Sequence, residues 1–382
     1  FVYYQVEQVL EKQEPEIEKF YKGRGILICE SKQNLFALKE YSGSLQKAEF
    51  LYWLGICLEQ QGIRCDAMLK NKEGALLTEG VDHVFYTFHR WMRGRECEVN
   101  NRVDLLLAVS FLAQFHRSCC GEEFVSVSEQ KNVSEQKNME SAEADSNGGL
   151  CGEYRKHDRD LRHIRKYILK RNNKSDFERL FLQCFDQFYQ QSETVVDFLE
   201  KDPEKDGGYT VGICHGEVNQ HNILFTPDGV ALIHLEHSGV GLQIADLGNF
   251  MRKIMEKNNW NVRLGMELLE GYRRKHALTA QDLQGLYYRL AYPEKFWKIA
   301  NQYYRTRKVW DSGKNYEKLQ KEIWQNQARG EFLAMLKQEL KEEGYSPEKL
   351  DNTVKRINER RKIALYNRIK SGYEAEYARL QK

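Results

Sequence analysis

No run of about 18 consecutive apolar residues occurs in this chain of 382 residues, so no membrane-spanning helix is expected. A surplus of charge is also missing. There are 58 basic and 56 acidic side chains, a formal net charge of +2. A general nucleic-acid binder would show a marked basic excess, so that class is excluded. The basic stretches 156–171 and 355–362 alternate with apolar residues at helical spacing and read as solvated helix faces. Paired cysteines are absent too: the nine are odd in number and none stands in a Cys-x-x-Cys. That leaves no zinc module, and it points to a reducing compartment with the cysteines as small core residues. The adjacent Cys119 and Cys120 do not readily pair with each other. The chain opens without Met and shows no leader, so a trimmed start and cytoplasmic synthesis are expected.

What is present is enough for real cores, with 41% hydrophobic and 30% charged residues. The length allows two domains or one bilobal unit. A short helix is expected over 3–13. Three strands follow near 17–21, 26–30 and 35–41, separated by the turns Lys22-Gly23-Arg24-Gly25 and Ser31-Lys32-Gln33-Asn34. Phe50, Leu51, Leu54 and Leu58 give a helical face over 45–61, which Gly62 ends. Strands at 67–70 and 84–89 complete a small antiparallel β-lobe with one helix, over 1–90. Residues 91–98, beginning Trp91-Met92-Arg93-Gly94-Arg95, read as a linker, and 99–382 as a mainly α-helical lobe. The expected class is therefore α+β and bilobal. Within the second lobe, 101–117 is an amphipathic helix. Val127-Ser128-Glu129-Gln130-Lys131-Asn132 recurs at once as 133–138, and the polar tract 122–150 reads as a mobile insertion. Helices are expected over 153–172 and 176–201, a loop over 202–208, a β-hairpin over 213–234, and long helices over 243–274, 279–289, 293–310 and 315–382.

The hairpin carries the chemistry. In Cys214-His215-Gly216-Glu217-Val218-Asn219-Gln220-His221-Asn222, an acid behind His-Gly is followed five residues later by Asn. That is the spacing of a kinase catalytic loop, in which the acid orients a hydroxyl and the Asn holds a metal. Glu217 is thus the candidate base and Asn222 a candidate metal ligand. Glu in place of Asp carries the carboxylate about 1.5 Å further out. Since a misplacement of about 1 Å can cost about a hundredfold in rate, slow or altered chemistry is expected. His215 reads as structural, and His221 as structural or solvated. Lys39 ends the strand Phe36-Ala37-Leu38-Lys39 and is the candidate for gripping phosphates, with Glu49 on the next helix as its partner. Gly23 and Gly25 let a backbone turn approach phosphates, and Arg24 adds a charge. The main metal ligand should follow Leu232-Ile233, where His234 stands; imidazole suits a hard cation poorly. Glu236, two residues on in an extended strand, would face the same side and could reach a metal. A His234-Glu236-His237 zinc cluster lacks further spaced ligands. Asp246 reads as a cap of the following helix.

On these residues the chain resembles the CotS-type spore-coat proteins, a branch of the aminoglycoside phosphotransferase and choline-kinase-like superfamily. The family's His-Gly-Asp-x-x-x-x-Asn is matched by His215-Gly216-Glu217 through Asn222, and Asn219-Gln220-His221-Asn222 is similar to its loop. Trp91 to Arg95 matches the interlobe Trp-x-x-Gly-Arg, and Leu112-Ala113-Gln114-Phe115-His116 the end of a large-lobe helix. Tyr292 to Lys298 and Asn301 to Tyr304 match the family's most specific run, which is not catalytic. The resemblance spans about 17–340 and implies a two-lobe protein-kinase-like fold. It also implies ATP and Mg²⁺ as ancestral ligands and a place in the spore coat of an endospore-forming bacterium, with coat proteins as partners. The departures are Glu217 and His234. They set three readings side by side: a coat protein with degenerate or weak phosphotransfer, an active phosphotransferase acting on small-molecule hydroxyls, and an ATP-binding pseudokinase.

Overall fold

In the computed structural model, residues 2–32, 34–81, 83–119, 149–201, 208–305 and 312–341 are described. The tandem repeat, the loop 202–207 and the chain from 342 onward lie outside them, as does the expected insertion 122–150 apart from its last two residues.

The N-terminal helix α1 (Val2–Glu11) precedes three strands: β1 (Lys19–Lys22), β2 (Leu27–Ser31) and β3 (Asn34–Tyr41). The β1–β2 register runs from Lys19 opposite Glu30 to Lys22 opposite Leu27, and Gly25, at φ +70°, makes the turn. After α2 (Leu45–Gln60) come the short β4 (Arg64–Cys65), β5 (Met68–Leu69) and β6 (Thr78–Glu79), then β7 (Phe85–Trp91). The sheet is ordered β1-β2-β3-β7, with β5 and β6 both pairing with the far edge of β7. The two-residue period of a strand sorts its faces. Phe36, Leu38, Tyr86 and Phe88 pack on Val6, Val9 and Leu10 of α1. Lys39, Thr87 and His89 therefore point the other way, toward the cleft.

Strand β8 (Arg95–Glu96) follows Trp91 and is already part of a second sheet, ordered β4-β11-β10-β8, where β10 is Ile223–Thr226 and β11 is Gly229–Leu232. In that sheet β4, which follows the small-lobe helix, runs parallel to β11. The small lobe is thus joined to the β10–β11 hairpin by backbone pairing as well as by the linker. A third pair, β9 (Val211–Cys214) with β12 (Gly239–Leu242), was not expected.

The large lobe is helical: α3 (Arg102–Ser118), α4 (Gly149–Leu169), α5 (Asp176–Lys201), α6 (Gln243–Lys257), α7 (Val262–Arg273), α8 (Ala280–Ala291), α9 (Glu294–Arg305) and α10 (Ser312–Lys341). Asn101 caps α3 through the amides of Val103 and Asp104, and Thr279 with Asp282 forms a capping box on α8. The main core runs from Phe50, Leu54 and Leu58 of α2 through Leu105, Val109 and Leu112 of α3 to Leu247, Phe250 and Ile254 of α6. A second core is aromatic. Phe177, Phe181, Phe185 and Phe188 line one face of α5 and receive Phe296 of α9, which stacks at 5.1 Å on Phe181 and 4.6 Å on Phe188. The run from Tyr292 to Lys298 thus serves packing. Tyr292 stacks on Tyr154 at 3.6 Å and donates to Asp158, while Trp297 stacks on His157 at 3.4 Å.

The helix expected over 243–274 is broken. Asn259 (φ 51°) and Trp260 (φ 53°) are left-handed, and Asn261 restarts the helix by accepting from the Leu264 amide at 2.9 Å. Among the described residues no helix is long and apolar enough to cross a membrane.

Candidate active site

The loop between β9 and β10 is built around a backbone bend. Gly216 has φ +83°, and a Cβ there would lie 2.3 Å from the His237 carbonyl oxygen, so only glycine fits. His215 is fully buried. Its Nε2–H donates to the Ile233 carbonyl at 2.9 Å, and its Nδ1 accepts from the Glu217 amide at 3.2 Å. Burial holds it below the ordinary histidine value, in keeping with this neutral tautomer. The loop's other support is Asp246. Its Oδ2 accepts from the His215 amide at 2.6 Å and stands 3.1 Å from Nε2 of His116, and its Oδ1 accepts from the Gly216 amide at 3.0 Å. Burial alone would raise this carboxyl, but the His116 hydrogen bond and neighbouring imidazoles keep it below its usual range. Asp246 lies in the first turn of α6, yet it caps the loop between β9 and β10 and not its own helix, which corrects the sequence reading.

Asn222 ends a 3₁₀ turn, Gln220–Asn222, and its amide nitrogen donates to the Glu217 carbonyl at 2.9 Å. The five-residue spacing is thus closed on itself. The Asn222 carbonyl also takes the Ile233 amide at 3.0 Å, which ties the loop to the segment that carries His234. The Glu217 side chain is 53% exposed, with Oε2 3.3 Å from Nε2 of His237. The structure therefore ties Asn222 to the Glu217 backbone and to the residue before His234.

Lys39 reaches this group from the small sheet. It is only 4% exposed and lies 2.5 Å from Asp66 Oδ2, while Glu236 Oε1 closes on the same ammonium from the other lobe. Burial pushes the amine down, but the Asp66 and then the Glu236 charges outweigh it, and the ammonium is held above its ordinary value. The expected partner, Glu49, is not the one used. It is exposed on α2, whereas Asp66 lies on the chain between β4 and β5, beneath the strand face that presents Lys39. Sequence reasoning missed Asp66, since it lies 27 residues from Lys39 in no recognisable motif. The site contains a further buried imidazole, His89, whose Nδ1–H donates to the Asp66 carbonyl at 2.9 Å, while its Nε2 meets the Thr87 hydroxyl at 2.9 Å. Burial, helped by the Lys39 charge, lowers it to about 4.

The segment after β11 is not the extended strand that was expected. His234 is left-handed (φ 66°, ψ 53°), and Leu235–His237 is a 3₁₀ turn. The His234 amide donates to Asp66 Oδ2 at 2.9 Å, and its ring meets Trp91 edge-on at 6.0 Å. The turn swings Glu236 onto Lys39, with His234 Nδ1 at 3.6 Å from its carboxylate. Burial would raise Glu236, but the contacts with His234 and Lys39 hold it well below the usual carboxylate range. A cation such as Mg²⁺ needs several oxygens in near-octahedral array. Here an imidazole stands at the expected ligand position, and both nearby carboxylates, Asp66 and Glu236, are engaged by an ammonium. Among the described residues no group of three or more His, Cys, Asp or Glu is arranged to hold a metal. The expected set Asn222, His234 and Glu236 thus does not fit a divalent ion.

The Gly23–Gly25 turn faces the linker. Arg24 Nε stands 3.6 Å from Glu96 Oε1, and the other oxygen of Glu96 contacts His221 Nδ1. Lys47 of α2 crosses to the Ser238 carbonyl, and burial lowers it to about 8.

A β-sheet lobe joined to a helical lobe, with a His-Gly-Glu-x-x-x-x-Asn loop facing a strand-borne lysine, defines a protein of the kinase-like phosphotransferase fold. Over residues 151–336 the chain matches the model of the family described as "Spore coat putative kinase YutH". The match bears out the resemblance to spore-coat proteins that was read from the sequence. Among solved structures, the chain is similar to an aminoglycoside phosphotransferase from Alicyclobacillus acidocaldarius, with a TM-score of 0.74 and 19% identity over 88% of this chain and 96% of that one. It is also similar to the spectinomycin phosphotransferase APH(9)-Ia, solved with ADP and spectinomycin, with a TM-score of 0.56 and 15% identity over 87% of this chain and 97% of that one. The amicoumacin kinase hAmiN, solved with AMP-PNP, Ca²⁺ and Ami, gives 0.55 and 13% over 86% and 93%. At such identities the likeness is one of fold. A comparison with curated proteins gave no match.

Proposed function

We propose that this is a spore-coat protein whose kinase-like cleft, between a small lobe over 1–90 and a helical lobe over 99–382, transfers phosphate weakly or not at all. One observation carries the reading. The residue at the metal-ligand position is a left-handed histidine, and the acid two residues on is locked to Lys39 and not turned toward a metal. The family match supports the coat assignment, with cytoplasmic synthesis, delivery to the coat of an endospore former and coat proteins as partners.

The neighbours solved with spectinomycin and amicoumacin support a small hydroxyl compound as the acceptor of any residual transfer, and those solved with ADP and AMP-PNP support a nucleotide in the cleft. The test is ADP release from ATP with Mg²⁺ or Mn²⁺ across a panel of aminoglycosides, choline and related hydroxyl compounds. Release at the level of the blank without acceptor is expected. Turnover of about 1 s⁻¹, the low end for kinases, would overturn the reading in favour of an active phosphotransferase. One observation favours that second reading: the Glu217 carboxylate is half-exposed on a loop whose amide and carbonyl are both fixed.

A further inference from the structure

We infer that the cleft holds the phosphates of a nucleoside di- or triphosphate with protein cations alone, without a divalent ion. The inference rests on the reading that the cleft takes a nucleotide, and it goes beyond that reading by removing the metal.

The argument is one of charge placement. A carboxylate at the metal-ligand position repels a nearby phosphate unless a cation sits between them, and this mutual repulsion is why such sites bring a metal in with the nucleotide. At His234 that carboxylate is gone. The acids that remain each face a positive or imidazole group of the protein. Asp66 and Glu236 share Lys39, Glu217 faces His237 at 3.3 Å, and Glu96 faces Arg24 and His221. A divalent ion entering here would have to part Glu236 from Lys39 and then accept a nitrogen ligand that a hard cation disfavours. An entering phosphate makes an easier exchange. Lys39 trades the partly exposed Glu236 oxygen for a phosphate oxygen, one charge-assisted contact for another, while Asp66 keeps its aim. Arg24, 67% exposed on the glycine turn, is free to swing from Glu96.

The experiment is isothermal titration of the full chain with ATP and with ADP, once in EDTA and once in excess Mg²⁺. The two dissociation constants should agree within about threefold, less than the factor of ten that 1.4 kcal/mol represents. His234→Asp, which restores the carboxylate in a backbone region Asp tolerates, should weaken binding in EDTA by about tenfold and recover it with Mg²⁺. His234→Asn, equally tolerant of that backbone and uncharged, should bind like the parent and serves as the folding control. Binding seen only with Mg²⁺, or equal binding by all three proteins in EDTA, overturns the inference while leaving the proposal of degenerate transfer standing. Absence of binding under every condition overturns the nucleotide reading on which the inference rests. Turnover in the ADP-release assay bears on the proposed function alone.

Discussion

At Asp246 one buried carboxylate accepts from the amides of His215 and Gly216 and meets Nε2 of His116. Asp246→Asn keeps the shape but turns one acceptor into a donor that faces an amide. A loss of about 1.5–3 kcal/mol is expected, the value of a hydrogen bond to a charged group. Urea denaturation gives the loss, and faster hydrogen exchange at His215 and Gly216 locates it; unchanged exchange at those two amides would refute the assignment. Legibility differs among these residues for a physical reason. Glu217 and Asn222 were readable because their contact closes within five residues, a spacing that one turn of backbone enforces. Asp246 and Asp66 were not. Their donors lie 30 or more and 27 or more residues away respectively, and no local pattern encodes which carboxylate a distant amide or ammonium will meet. Glu49 was read as the lysine's partner from a motif distance, and the fold supplied a different acid.

The elements themselves followed the local code closely. The strands near 17–41, the helix over 45–60 and the helix over 176–201 stand nearly where period and turn residues put them. The Phe177, Phe181, Phe185 and Phe188 stripe shows why: its spacing suits a helix alone. The failures came where a few residues override the period. One helix was expected over 243–274, but two left-handed residues and a capping Asn divide it. Asn261→Ala should therefore destabilise the protein by about 1 kcal/mol through loss of the cap, read as a lower urea midpoint with an unchanged m-value. A midpoint equal to the parent's would show that Trp260, buried against Phe332, sets the break unaided. Strands of two residues, such as β4 and β8, carry no period at all. They exist because the neighbouring hairpin offers its edges.

For the molecule as a whole, acid should be the sensitive direction. His89, His157 and His276 are buried, and burial lowers each to about 4. In the unfolded chain they take up protons near the ordinary value of about 6.5. Between those limits the unfolded state binds more protons, so stability falls as pH drops from about 6.5 toward about 4, by up to about 1.4 kcal/mol per pH unit for each histidine. His157 allows a direct check. Its Nδ1 has no hydrogen-bond partner among the described residues, and its ring stacks on Trp297. His157→Phe should keep the stack and lower the slope of urea midpoint against pH by about one proton. An unchanged slope would mean that this ring is already charged in the folded protein.

The sequence by itself determined the α+β bilobal class, the five-residue spacing from Glu217 to Asn222 and the presence of an imidazole at 234, because each is written in residue type and short-range period. Only the tertiary structure decided that Asp66 and Glu236 share Lys39, that Asp246 supports the loop and that β4 joins the lobes. Those outcomes depend on which distant groups packing brings within hydrogen-bond reach, and burial then sets the charge each one carries.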